Sequence, residues 1–470
     1  MRYKIQPWQH QLAAIEAAKN KDCYALFFEQ GTGKTLTAAN LIRQKEQESG
    51  RVLRSLILCP QIVIENWKSE LLANTHTKDS HIACLRGSAN KRVEQARKLL
   101  KVFGSVLITN YEAVLMEPFH NFITHEYKPD LIILDESQRI KDLKAKRTKK
   151  IVGYAKLARY RFILSGTPIT NSLFDIFPQF LFLDKGESLG LKYHEFRHRF
   201  FNDLNAYMPR HTYFPNWQPR VGAEKEIQEI IYRKAMRVRK KDCLDLPPFI
   251  RQTVDVEMSP EQARLYKTME KDAVAAIKDK EITADLAIKK ALRLQQIVTG
   301  FVKDDNGDII PLEHNRLKVL REVIEQIPED EGFIIWAVFK QNYKDIEHLL
   351  SEMGVPYGQL HGGVDFSTQQ QSIARFQSRV YRAVVAHPAS GGIGVNLTRA
   401  SFSIFYSRNF SLEHDLQAEA RNYRGGSEVH NKVTRIDLLT RQTIDELVLC
   451  ALSDKLNISE SVLHYLKQKG

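Results

Sequence analysis

"CYALFFEQGTGKT", residues 23–35, decides the fold. Its first six residues form an apolar run without polar alternation, the pattern of a strand covered on both faces. A glycine-bearing loop follows, and Lys34 and Thr35 open a stretch with helical spacing. Strand, loop and helix in that order are the context a phosphate-binding loop requires. Gly31 and Gly33, with Thr32 between them, would let backbone N–H groups close around phosphate oxygens, helped by the positive end of the helix. Lys34 would reach the β- and γ-phosphates of ATP, and the Thr35 hydroxyl would ligate Mg²⁺. The first glycine of the G-x-x-x-x-G-K-T pattern is replaced here by Phe28.

The same grammar repeats outward. "SLILCP" (55–60), "SVLITN" (105–110), "LIILDE" (131–136) and "RFILSG" (161–166) read as further buried strands, each followed by a helical stretch. "GFIIWAVF" (332–339), "YRAVVAH" (381–387), "SFSIFYS" (401–407) and "KVTRIDLL" (432–439) form a second series. Buried strands separated by helices predict an α/β chain with parallel sheets. At 470 residues the chain is too long for one ordinary core. Two α/β lobes are expected, over 1–185 and 311–470. A mainly helical insertion with a linker is expected between them, at 186–310, including an aromatic and basic region near 193–217.

"LIILDE" ends in adjacent acids, which resist burial unless a cation or a task keeps them there. Asp135 and Glu136 fall at the C-terminal end of a parallel strand, the edge where open α/β sheets bind ligands. Asp135 can hold Mg²⁺ bridging the phosphates, and Glu136 can orient or deprotonate the attacking water.

Lys and Arg total 69 against 56 Asp and Glu, a formal charge of +13 that favours a polyanionic partner, nucleic acid first. The five cysteines (Cys23, Cys59, Cys84, Cys243, Cys450) are scattered, which fits a reducing compartment and no disulfide framework. With no apolar leader and no membrane-length apolar run, an intracellular protein, cytoplasmic, nucleoid-associated or nuclear, is expected.

Taken together the motifs resemble those of the Swi/Snf (sucrose non-fermenting) branch of superfamily 2 helicase-like ATPases. "LILCPQIVIENWKSEL" (56–71), with a proline after a strand and then a tryptophan, "VLITNYEAV" (106–114), "DESQRIKD" (135–142) and "RFILSGTPITN" (161–171) are similar to its first-lobe motifs. The Leu-Pro-Pro segment within 239–269, "GGIGVNL" (391–397) and "DLQAEARNYRGGS" (415–427) are similar to its linker and second-lobe motifs.

The resemblance implies two RecA-like P-loop lobes with helical protrusions. It implies an ATP- and Mg²⁺-using motor that moves along DNA, duplex or branched, as a monomer, with protein partners for targeting. Gln11 would read adenine, with Gln9 the other candidate. Arg424 would be the arginine finger, with Arg421, Gln417 and Gly394 lining the nucleotide cleft from the second lobe. Gln138, Ser165 and Thr167 would couple hydrolysis to movement. Ser137 and Gln138 stand where many relatives have Ala-His, so this coupling carries no charge and does not titrate near neutral pH. Pro60, Thr109, Tyr111 and Asn396 would meet DNA, while Phe410 is read as packing. The motor core is expected to fill these 470 residues, with no targeting domain among them. No inserted pin or wedge is visible, so translocation is expected in preference to strand separation.

Other signals compete. "HEFRH" (194–198) fits H-E-x-x-H, which would make a zinc peptidase with Glu195 as base. Phe196 and Phe200 read better as the apolar face of an ordinary helix. "KDLKAKRTKK" (141–150) reads as a solvated loop and helix start before a DNA patch or targeting signal. "DDNGD" (304–308) reads as a hairpin turn, not a calcium loop. A non-catalytic nucleic-acid-binding protein is the remaining class. Metal analysis of purified protein is expected to find no stoichiometric zinc; one zinc per chain would restore the peptidase reading.

Overall fold

The computed structural model describes residues 3–453 apart from 103, 170–171, 210, 212, 244, 279–283, 305 and 390–394. The chain divides into two compact units, up to residue 244 and from Asp245 onward.

The first unit is built on seven parallel strands. These are β1 (Cys23–Phe28), β2 (Ser55–Cys59), β3 (Ile82–Cys84), β4 (Val106–Asn110), β5 (Leu131–Asp135), β6 (Tyr160–Leu164) and β9 (Ala235–Val238). Between β6 and β9 lies an antiparallel hairpin of β7 (Phe201–Asp203) and β8 (Trp217–Pro219). The sheet order is β3-β4-β2-β5-β6-β1-β9. Every residue of β1, β2, β4, β5 and β6 is buried, as their unbroken apolar runs require. The order matters for chemistry: β5, β6 and β1 are neighbours, so the segments leaving their C-terminal ends emerge side by side. Three helices concern the site: α1 (Gln9–Ala17), α2 (Lys34–Ser49) and α3 (Ile64–Asn74).

The second unit holds six parallel strands in the order β10-β17-β16-β13-β15-β14. They are β10 (Phe249–Asp255), β13 (Gly332–Trp336), β14 (Tyr357–Leu360), β15 (Ala383–Ala386), β16 (Ala400–Phe405) and β17 (Val433–Leu439). A two-stranded antiparallel ladder, β11 (Phe301–Lys303) and β12 (Ile309–Pro311), flanks the "NG" turn. Among the described residues, no helix is long and apolar enough to cross a membrane.

Two features go beyond the sequence reading and a third agrees with it. The stretch 186–310 is not a separate unit: it contributes β9 to the first sheet and β10 to the second. It also contains the β7–β8 hairpin, where no inserted pin was expected. "HEFRH" lies on the helix Tyr193–Phe200, with Phe196 and Phe200 buried and His198 meeting the Trp217 ring edge-on at 5.0 Å.

The second unit is fastened internally by buried ions. Arg316, Arg408 and Arg435 are all within 1% of full burial. Asp445 accepts from Arg316 at 2.6 Å and Arg408 at 3.1 Å, and Asp437 accepts from Arg408 at 2.9 Å and Arg435 at 3.0 Å. Arg435 also grips Asp415 with both terminal nitrogens, at 2.9 and 3.0 Å, and lies over the Phe405 ring. Burial alone would raise the Asp437 carboxyl, but Arg408 and Arg435 hold it below its ordinary range. Asp415 sits on the helix Leu412–Glu419, so this network anchors the segment that leads into Arg421 and Arg424. Removing one partner strands the others in a dry interior. Asp445→Asn is therefore expected to cost about 3–5 kcal/mol by urea denaturation. A loss below ~1 kcal/mol, the range of an exposed pair, would show that the network does not hold this unit together.

Candidate nucleotide site

The phosphate loop joins β1 to α2. Gly31 and Gly33 have φ of +84° and +79°, the left-handed region that glycine enters at little cost. At Gly33 there is a second reason for glycine: a Cβ would fall 2.0 Å from Gln11 Nε2. Gln11 is 2% exposed and tied at both ends, donating to the Gly33 carbonyl at 3.2 Å and accepting from the Trp8 N–H at 2.8 Å. Thr32 is buried, its hydroxyl on the Glu29 carbonyl and its own carbonyl against His10. Lys34 is 8% exposed and donates to the Phe28 carbonyl at 3.0 Å. Thr35, in the first turn of α2, is half-buried, and its hydroxyl has no hydrogen bond among the described residues.

Asp135 and Glu136 end β5, only 7% and 6% exposed. Asp135 is held from two sides: the Trp67 indole N–H donates to Oδ2 at 2.8 Å, and the Tyr111 hydroxyl donates to its backbone carbonyl at 2.8 Å. Burial, and then the charge of Glu136, push the Asp135 carboxyl up to about 6, against the opposing pull of Trp67 and Lys34. Glu136 has φ +57°, a left-handed backbone that is costly for a residue with a side chain. Its carboxylate is clamped by two amides, with Gln30 Nε2 on Oε1 and Gln138 Nε2 on Oε2, both at 2.8 Å.

From Glu136 a neutral relay runs inward. Ser165 Oγ donates to Gln138 Oε1 at 2.7 Å and accepts the Thr167 N–H at 3.0 Å. Ser137 donates to Gln179 at 2.7 Å, fixing the turn behind the acids. Lys34, Asp135, Glu136, Gln138, Ser165 and Thr167 thus meet at the C-terminal edge of three adjacent strands. Gln30 and Trp67 belong to the same cluster, though the sequence reading gave neither a role. Trp67 had been noticed as a motif residue, and an indole N–H in an apolar helix was the available signal.

The residues expected to meet DNA fare differently. Thr109 and Tyr111 are fully buried and Pro60 is buried. The Thr109 hydroxyl accepts from Arg92 at 2.6 Å, while the Tyr111 hydroxyl braces the Asp135 backbone from inside. Asn396 is exposed, accepting the Thr398 N–H at 3.0 Å.

In the second unit Arg421 is 2% exposed and donates to the Val395 carbonyl, while Arg424, three residues on, is half-buried. Gln417 is 3% exposed; its Nε2 donates to Glu413, and its Oε1 has no hydrogen-bond partner among the described residues. Gly394 lies outside the described residues.

Comparison with known proteins matches the SNF2-related domain to residues 12–300 and the helicase conserved C-terminal domain to residues 315–426. A putative protein p41 of Acyrthosiphon pisum secondary endosymbiont phage 1 is 25% identical, over 93% of this chain and 94% of its own length. The chromodomain-helicase-DNA-binding protein 1-like of Danio rerio is also 25% identical; the match covers 95% of this chain but 42% of the zebrafish protein. Among solved structures, a Sulfolobus solfataricus SWI2/SNF2 ATPase core in complex with dsDNA matches 96% of this chain and 92% of its own, with 24% identity and a TM-score of 0.44. Because the SNF2-related domain spans more than half of its residues, the chain belongs to the SNF2-related family of helicase-like ATPases.

Proposed function

We propose that the protein hydrolyses ATP to ADP and phosphate with Mg²⁺ and uses the energy to move along DNA, duplex or branched. The adjacency of the phosphate loop, the Ser165 relay and the clamped acid pair at neighbouring strand ends supports this reading most directly. The net charge of +13 and the DNA-binding description of the zebrafish relative support DNA as the track.

The residues present suit a magnesium nucleotide. Two hard oxygen donors, the Asp135 carboxylate and the Thr35 hydroxyl, stand at the loop, and the two left-handed glycines open its backbone N–H groups. Magnesium, when bound, would neutralise charge developing on the β- and γ-phosphates. Lys34 would exchange the Phe28 carbonyl for a phosphate oxygen. Glu136 would accept a proton from the attacking water. The clamp aims the carboxylate without adding charge of its own. Arg424 is proposed as the arginine finger and Arg421 as its neighbour in the cleft.

Two outcomes test this site. Lys34→Ala and Glu136→Gln are each expected to lower DNA-stimulated ATP turnover by at least about a hundredfold, with Glu136→Gln still binding nucleotide. Turnover retained in either would remove the assignment. The second test reads the ligand-free protein. An acid whose folded pKa is raised, from its ordinary 3.8 to about 6, contributes stability that is whole below the lower value and is lost as pH rises through the higher. Asp135→Asn should therefore be more stable than wild type at pH 7, by about 2–4 kcal/mol. The difference should vanish toward pH 4 in thermal or urea unfolding. A variant equally stable at both pH values would show that Asp135 carries no buried charge.

A further inference from the structure

The β7–β8 hairpin has a fixed base and an open end. At the base Phe200 and Phe201 are buried; Phe201 stacks on Phe174 with ring centroids 3.7 Å apart, and Phe196 packs on Phe177 at 4.9 Å. One carboxylate braces the loop above. Asp203 Oδ1 accepts the backbone N–H groups of Asn205 at 3.1 Å and Asn216 at 2.9 Å, and Oδ2 accepts the Tyr213 hydroxyl at 2.5 Å. Asn205 Nδ2 donates to the Phe214 carbonyl at 3.0 Å, closing the loop across its middle.

Beyond this brace the loop shows large apolar side chains to solvent. Tyr207 is 100% exposed, Leu204 62%, Phe214 57% and Tyr213 45%. A loop held by one carboxylate and a cross-loop amide has its hydrogen bonds met internally, so these rings are not needed to close it. Cations stand at the hairpin base. Arg197 lies over the Trp217 ring at 4.2 Å, and Arg199 and Arg220 both reach Glu226. From Lys192 to Glu226 the sequence has six Lys and Arg against four acids. Three of the acids are engaged, Glu195 by Lys192, Asp203 in the brace and Glu226 by Arg199 and Arg220.

Exposed π faces amid net positive charge suit one chemistry above others: bases that stack on the rings while cations draw in their phosphates. A duplex keeps its bases stacked on one another, so only unpaired nucleotides present free faces. We propose that the exposed rings of Tyr207, Tyr213 and Phe214 are a stacking platform for unpaired DNA bases, giving the protein a preference for duplex that adjoins a single-stranded arm. This deepens, and rests on, the reading of the protein as a DNA motor.

The test measures binding at fixed salt to a blunt duplex and to the same duplex carrying a single-stranded arm, by fluorescence anisotropy. Wild type is expected to bind the armed duplex more tightly, by about 5–100-fold, the range of one well-stacked base. The double variant Tyr207→Ala/Phe214→Ala should bring that ratio to near one, leaving blunt-duplex affinity and thermal unfolding unchanged. Tyr207→Trp, which keeps a π face, should retain the preference. A ratio near one in wild type, or one preserved in the double variant, overturns the platform. So does an equal weakening on both DNAs, which would mark a general phosphate surface. ATP turnover on the same samples separates the two readings. An arm preference without any DNA-stimulated turnover removes the motor and leaves the platform; stimulated turnover without an arm preference does the reverse.

Discussion

A parallel strand covered on both faces can carry charge only where it stops. In β5, Leu131 to Leu134 are fully buried, and the two acids come at once after them, still almost completely shielded. Carboxylates so placed need hydrogen-bond donors, and the first unit delivers them from three places in the chain. Trp67 from α3, Gln30 from the phosphate loop and Gln138 from the turn behind reach the carboxylates, and Tyr111, from the turn after β4, braces the Asp135 backbone carbonyl. The acids thereby fix the phosphate loop to β5, and through Gln138 they fix Ser165 at the end of β6. The site is therefore one hydrogen-bonded object rather than a set of motifs that happen to converge.

The relay also has a chemical character. Every link between Glu136 and Thr167 is an amide, a hydroxyl or a backbone N–H. No member gains or loses a proton in the ordinary pH range, so the geometry of the relay does not depend on protonation. A shift of the Glu136 carboxylate would therefore be felt as position, by an amide, then a hydroxyl, then the backbone after β6.

Legibility followed burial. The nine strands expected from apolar runs are all present, because strands in the middle of a parallel sheet have no polar face to blur the pattern. Four strands of the two parallel sheets escaped notice: β3, β9, β10 and β14. β3, β9, β10 and β14 form the sheet edges, where one side is open and polar residues are admitted, as in "FIRQTVD" of β10. The motif chemistry was equally plain, since glycine, lysine and paired acids stand at fixed spacings. Partners distant in sequence were not: Trp67 and Asp135 are joined only by the fold. Thr109 and Tyr111 misled for a related reason. A hydroxyl at a strand end looks like a surface contact until the neighbouring strand and helix cover it. The hairpin was half legible: its aromatic and basic composition stood out, but three-residue strands leave no periodicity to read.

Glu136 occupies a backbone conformation that suits glycine or asparagine better than glutamate. If Glu136 is the proposed base, the demands of chain folding and of catalysis point to different residues at this position. Substitutions that relax the backbone here would produce a sturdier protein with a poorer site. A screen that rewards only thermal endurance would therefore drift away from glutamate at 136, and the conformational tension at that residue is a direct marker of where function overrides stability.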